Sequence, residues 1–117
     1  MIKLIVSDID GTLVPEGNTD LNPEYLEVIK KLTEKGVVFA AASGRHASSI
    51  DAVFRPVSER IYYVSDNGAC IEKNGKEERA LYLPAKELRE LLYEARKMEG
   101  CYVMFSAVDG FYTDAKD

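Results

Sequence analysis

Residues 2 to 7, IKLIVS, are almost all aliphatic, and the run breaks at once into Asp8-Ile9-Asp10-Gly11-Thr12. An aliphatic stretch this short suits a strand covered on both faces, as in the parallel sheet of an α/β domain. Side chains alternate along an extended chain, so Asp8 and Asp10 project to one side as far as the extended form persists. Like charges at that spacing repel. Two explanations stand: a solvated strand end, or a site that brings in a cation.

The following residues repeat the plan. LNPEYLEVIKKLTEKG, residues 21 to 36, carries a full helix grammar, with Asn22 as N-cap, Pro23 at the first helical position, Leu26, Ile29 and Leu32 on one face and Gly36 as the stop. VVFAAAS, residues 37 to 43, is a second buried-strand run and ends in Ser43-Gly44-Arg45. Ala47, Ile50, Val53 and Phe54 predict a helix from His46 to Phe54, stopped by Pro56. RIYYVSDNGA is a third strand that runs into polar and turn residues. Strand, helix, strand, helix, strand predicts an α/β, Rossmann-like parallel sheet with crossover helices.

After residue 68 the pattern changes. Asn74-Gly75 between two short β-prone segments predicts a type I′ hairpin. An amphipathic helix follows through Leu88, Leu91, Leu92, Ala95 and Met98, closed by Gly100. CYVMFSAV and FYTD read as two strands joined at Asp109-Gly110. The expected division is residues 1–80, holding three strands with crossover helices, and residues 81–117, the start of an α+β domain.

Composition narrows the function. In 117 residues, 15 basic side chains stand against 20 acidic ones, and no Lys/Arg cluster marks a nucleic-acid surface. Cys70 and Cys101 have no CxxC spacing, so reduced, packed thiols and a cytoplasmic setting are expected. No apolar run approaches the roughly 20 residues of a membrane span, and the N-terminus turns acidic too soon for a signal peptide. No nucleic-acid or membrane partner is expected.

In an open parallel sheet, ligands bind beyond the carboxyl ends of the strands, where Asp8 and Asp10 lie. Mg²⁺ takes carboxylate and carbonyl oxygens and usually arrives with a phosphate. An aspartate placed there can attack phosphorus while a neighbouring acid moves protons. Ser43 adds a hydroxyl, Gly44 an accessible backbone N–H, and the next helix starts near His46 with its positive end toward the same edge. His46 itself is expected to face solvent, and Tyr62, Tyr63, Tyr102 and Phe105 to pack within strands.

At these residues the sequence resembles a known family. DIDGTL at 8 to 13 matches the DxDGT signature of the haloacid dehalogenase superfamily, and SGR at 43 to 45 matches its second motif. SDNGA at 65 to 69 is similar to the third-strand ending of the Cof-like, subclass IIB phosphatases. The resemblance implies that Asp8 is the nucleophile and an Mg²⁺ ligand, and that Asp10 is the general acid/base with its carbonyl on the metal. It places Gly11 and Thr12 around the phosphate, Ser43 and Gly44 on the phosphoryl oxygens, and Arg45, Asn67 and Gly68 at the substrate entrance. The implied activity is hydrolysis of small phosphorylated metabolites, sugar phosphates among them, through an aspartyl-phosphate.

The family also carries a third-motif lysine and fourth-motif aspartates after its cap, and neither is found in these residues. Asp109 is explained by its turn, and neither it nor Asp114 ends a core strand. The expectation is therefore the N-terminal part of a longer phosphatase, inactive alone, with its first strand left as an exposed edge prone to self-association. Two alternatives remain. One is a receiver-type phosphoacceptor module, which needs five strand-helix repeats with the acceptor ending the third strand, a place Asp66 takes. The other is a member of the same superfamily that has lost catalysis and serves as a binding protein.

Overall fold

A computed structural model describes residues 1–113, arranged in two compact units, Met1–Ala80 and a second that begins at Leu81. In the first, strands β1 (Leu4–Asp8), β2 (Val38–Ala42) and β3 (Tyr62–Ser65) run parallel, joined by helices α1 (Pro23–Glu34) and α2 (Ala47–Phe54). Strands β4 (Cys70–Lys73) and β5 (Lys76–Ala80) then extend the sheet antiparallel, in the order β1-β2-β3-β4-β5. The sheet is thus mixed, and the hairpin expected at Asn74-Gly75 is part of it. Both turn residues have positive φ, 52° and 70°, as the type I′ geometry requires. That antiparallel return after β3 excludes the five-repeat topology of a receiver module.

Helix α1 is built as its sequence predicts. The Asn22 side chain accepts the Glu24 N–H at 3.0 Å, Pro23 occupies the first turn, and Gly36 takes φ 81° just past the end. Ile29 is buried and Leu26 packs against the core. Helix α2 buries Ile50 and Phe54 completely. The α-helix ends at Phe54, as expected with Pro56 two residues on. A 3-10 segment continues over Arg55–Arg60, because a proline near the start of a new turn sacrifices no internal hydrogen bond.

Three expectations are corrected. β1 is not covered on both faces, the state its composition alone suggests; it lies at the exposed edge expected of it, pairing with β2 alone among the described residues, and Leu4 and Val6 are 56% and 55% exposed. His46 does not face solvent; it is only 7% exposed. Cys70 lies half-buried in β4, but Cys101 is exposed and precedes the strand that was expected to hold it.

In the second unit, helix α3 (Ala85–Ala95) ends before the expected Gly100, giving way to turns through residues 96–100. Strands β6 (Met104–Ala107) and β7 (Gly110–Thr113) form a hairpin whose turn falls at Val108-Asp109, one residue earlier than predicted. Phe105 and Tyr112 stack across it at 6.0 Å, and the Tyr112 hydroxyl donates to Asp109 at 2.8 Å. Asp114 lies outside the described residues. Among the described residues, no helix is long and apolar enough to cross a membrane.

Candidate active site

Register aligns the carboxyl ends of the parallel strands. Asp8 pairs with Ala42 and Ala42 with Val64, so the three strands finish in one row. Ile9 then turns into the core with no exposed surface, while Asp8 and Asp10 on either side of it are exposed. The alternation of the strand persists through these three residues. A buried anchor between two acids is what lets a core strand end in paired charge.

The loop after Ile9 is tightly wound. The amides of Thr12, Leu13 and Val14 converge on the Ile9 carbonyl at 3.2, 2.9 and 2.9 Å, and the Gly11 amide donates to the Val14 carbonyl at 2.8 Å. Gly11 takes φ 78°, a conformation that strains residues with a Cβ. The winding brings the Thr12 hydroxyl to Asp8 Oδ2 at 3.2 Å, which fixes the rotation of that carboxylate.

An open cleft of about 330 Å³ is lined by Asp8, Ala42, Ser43, Gly44, Val64, Asn67 and Gly68. Gly44 lies close to Asn67: a Cβ there would be 2.9 Å from Asn67 Oδ1, and that side chain would have to shift. Asp66, Asn67 and Gly68 all have positive φ, 50°, 56° and 91°, forming a left-handed turn that asparagine, aspartate and glycine tolerate better than other residues. From that turn the Asn67 amide donates to the Ser43 carbonyl at 3.2 Å and the Asp66 amide to the Arg45 carbonyl at 3.0 Å. The β2 and β3 ends are thereby strapped together.

Asp10 and Arg45 sit beside this cleft rather than in its lining. Arg45 grips the Asp10 carboxylate with two donors, Nε to Oδ2 at 3.0 Å and Nη2 to Oδ1. Ser43 Oγ reaches the same carboxylate at 3.5 Å and accepts the Arg45 amide at 3.1 Å. Arg45, expected at the entrance, is therefore directed onto the acid. Its hydrogen bonds hold the Asp10 carboxyl below the ordinary carboxylate range.

The sequence-predicted residues thus fall into two adjoining groups. Asp8, Ser43, Gly44, Asn67 and Gly68 share the cleft, with Thr12 bound to Asp8; Asp10, Arg45 and Ser43 form a hydrogen-bonded set next to it. A family model described as haloacid dehalogenase-like hydrolase matches residues 5–117. The chain belongs to this family. An HMP-PP phosphatase of Serratia proteamaculans (strain 568) is 31% identical over 94 residues, which make up 80% of this chain and 34% of that protein. A solved structure from Eubacterium rectale superposes with a TM-score of 0.85 at 30% identity, over 97% of this chain and 43% of the other. A phosphatase of the same superfamily from Bacteroides thetaiotaomicron gives 0.75 at 26% identity, over 100% of this chain and 43% of that one. The chain therefore spans about a third of the curated relative and under half of the two solved structures.

Ala42 and Val64 in the lining, and the backbone strap from Asp66, were not identified from sequence. Apolar strand ends carry no chemical signature of their own. The Asp-Asn-Gly tripeptide after a strand does carry one, since these are the residues that enter left-handed turns.

Proposed function

We propose that this chain supplies the phosphoryl-transfer end of a Mg²⁺-dependent phosphohydrolase acting on small phosphorylated metabolites, sugar phosphates among the candidates, through an aspartyl-phosphate on Asp8. The observation that carries the proposal is the placement of an oriented Asp8 carboxylate in one cleft with the Ser43 hydroxyl and the close-packed Gly44 backbone. The HMP-PP phosphatase relative supports the substrate class. A carboxylate oxygen of Asp8 attacks phosphorus, the ester P–O bond breaks, and Asp10 in its acid form protonates the leaving oxygen. Asp10, now a carboxylate, then takes a proton from water as the water oxygen attacks phosphorus; the bond to Asp8 breaks and inorganic phosphate leaves. In the free chain Arg45 favours the Asp10 carboxylate, the form the second half needs, and disfavours the acid form that the first half needs.

The oxygen donors fit Mg²⁺ in kind. The Asp8 carboxylate and the Asp10 carbonyl would hold it, although among the described residues no group of three His, Cys, Asp or Glu side chains surrounds a metal position. When bound, Mg²⁺ would offset the charge of Asp8 and of the approaching phosphate. With so partial a shell, the 117-residue chain alone is proposed to be inactive. To test the proposal, the full-length polypeptide is mixed with p-nitrophenyl phosphate, quenched in acid and digested. A phosphoryl group is expected on the peptide containing Asp8, labile to hydroxylamine. Steady turnover with no such adduct, or an adduct elsewhere, overturns it.

We also infer that the 117-residue chain self-associates through β1, whose outer edge meets no other strand among the described residues and whose Leu4 and Val6 are exposed. Light scattering combined with intact mass is expected to show concentration-dependent association, weakened in Val6→Lys. A monomer that persists at high concentration refutes it.

A further inference from the structure

We infer that the Asn67 carboxamide is a phosphoryl-binding group, its Nδ2 donating to an oxygen of the same phosphoryl group that the Gly44 backbone amide holds. Asn67 thereby joins Asp8, Ser43 and Gly44, and its role rests on the phosphoryl-transfer reading of those three. It lines the cleft beside them and is exposed there. A Cβ on Gly44 would lie 2.9 Å from Asn67 Oδ1 and 3.3 Å from Nδ2, so the carboxamide stands against the Gly44 Cα. Among the described residues, no hydrogen bond reaches this carboxamide, and the Gly44 amide donates to none. Two neighbouring N–H donors on one wall of the cleft are open to a ligand.

The turn itself does not need the side chain. Asn67 has φ 56° and ψ 35°, in the left-handed region that glycine enters without strain. What ties the turn to β2 is the backbone amide of residue 67, donating to the Ser43 carbonyl at 3.2 Å, and every residue type except proline supplies that bond. Asparagine in turns commonly hydrogen-bonds its own nearby backbone, and Asn67 does not. A polar side chain kept at a left-handed position without a local partner is the kind of strain that collects at binding sites.

Charge explains why neutral donors belong here. Asp8 is the one ionisable side chain in the lining, and Arg45 is engaged by Asp10 through two donors. Ser43 Oγ is occupied as well, accepting the Arg45 amide and reaching Asp10. A phosphoryl group brought against Asp8 therefore meets N–H groups at the β2 and β3 ends, Gly44 from one and Asn67 from the other. The carboxamide supplies its donors without adding charge, and a side chain already in place needs little rearrangement when the ligand arrives.

The test is isothermal titration of inorganic phosphate into the full-length polypeptide, with Mg²⁺ held constant, alongside thermal denaturation. Asn67→Gly is expected to unfold at the wild-type temperature or above it, because it relieves the left-handed strain. It should nonetheless bind phosphate about fivefold more weakly, the scale of one lost hydrogen bond. Asn67→Asp keeps the shape and suits the turn, but it replaces the donors with a carboxylate, and its loss is expected to exceed about tenfold. Variants that bind inorganic phosphate as the wild type does overturn the inference; a KM for a sugar phosphate raised in those same variants would place Asn67 on the leaving alcohol instead. Weaker binding in Asn67→Gly that comes with a clear loss of thermal stability also overturns it, since the side chain would then serve the turn. If the wild type itself binds no phosphate, the phosphohydrolase reading falls together with this role; if only the variants fail to differ, that reading stands.

Discussion

Asp8→Asn in the full-length polypeptide is expected to lower kcat by about 10⁴-fold or more, the scale seen when a covalent nucleophile is removed. Substrate affinity is expected to stay within a few-fold. The carboxamide has nearly the shape of the carboxylate, and its oxygen can still accept the Thr12 hydroxyl that now reaches Oδ2 at 3.2 Å. Folding should be unharmed or slightly improved, because the substitution removes one of two like charges a single residue apart. Asp10→Asn should behave differently. It keeps the nucleophile and loses proton transfer, a contribution of about 10²–10⁴. It also replaces the charge that Arg45 grips with two donors, so the Arg45 side chain and Ser43 should rearrange. Steady-state kinetics with isothermal titration of substrate separates the cases. Near-normal turnover in Asp8→Asn would sink the aspartyl-phosphate mechanism.

Local chemistry explains which parts of this molecule could be read in advance. The caps of α1, the Asn74-Gly75 turn and the Asp8/Asp10 alternation each depend on neighbours within a few residues, and each has the form its sequence predicts. The two motifs, 33 positions apart at Ser43 and Asp10, meet because parallel strands in register bring their carboxyl ends together. What sequence left hidden depends on distant partners. The aliphatic composition of β1 describes a buried strand, and only the missing fourth-motif residues point to the edge at which Leu4 and Val6 are exposed, because burial requires a neighbour that the pattern itself cannot supply. His46 was misjudged for a related reason. A histidine beginning a helix looks like a surface residue until the fold seats it as a buried N-cap, a place more often taken by Ser, Thr, Asp or Asn. Arg45 lies two residues after Ser43, and nothing local indicates that it would turn to Asp10.

Ile9→Ala is expected to destabilise the Met1–Ala80 unit by about 2–5 kcal/mol, the range for removing a large aliphatic side chain from a packed core. Ile9 has no exposed surface and packs in the cluster that includes Val14, Ile29, Ile50 and Phe54. For a unit of 80 residues the total stability is about 4–12 kcal/mol, so one such cavity removes a large share of it. The backbone bonds that wind the loop would survive, because they end on the Ile9 carbonyl and not on its side chain. The loss is therefore one of packing, and should appear in urea denaturation as a lower midpoint with an unchanged slope. Ile9→Val, which removes a single methylene, should cost about 0.5–1.5 kcal/mol, and Val6→Ala on the exposed face less than about 1 kcal/mol. The ordering matters for function because Ile9 carries an acid on each side. A cavity beneath it loosens the seat of Asp8 and Asp10 together, so kcat should fall while KM changes little, without any contact to substrate having been removed. An Ile9→Ala variant that loses less than about 1 kcal/mol would show that the paired acids are not anchored through the core at this residue.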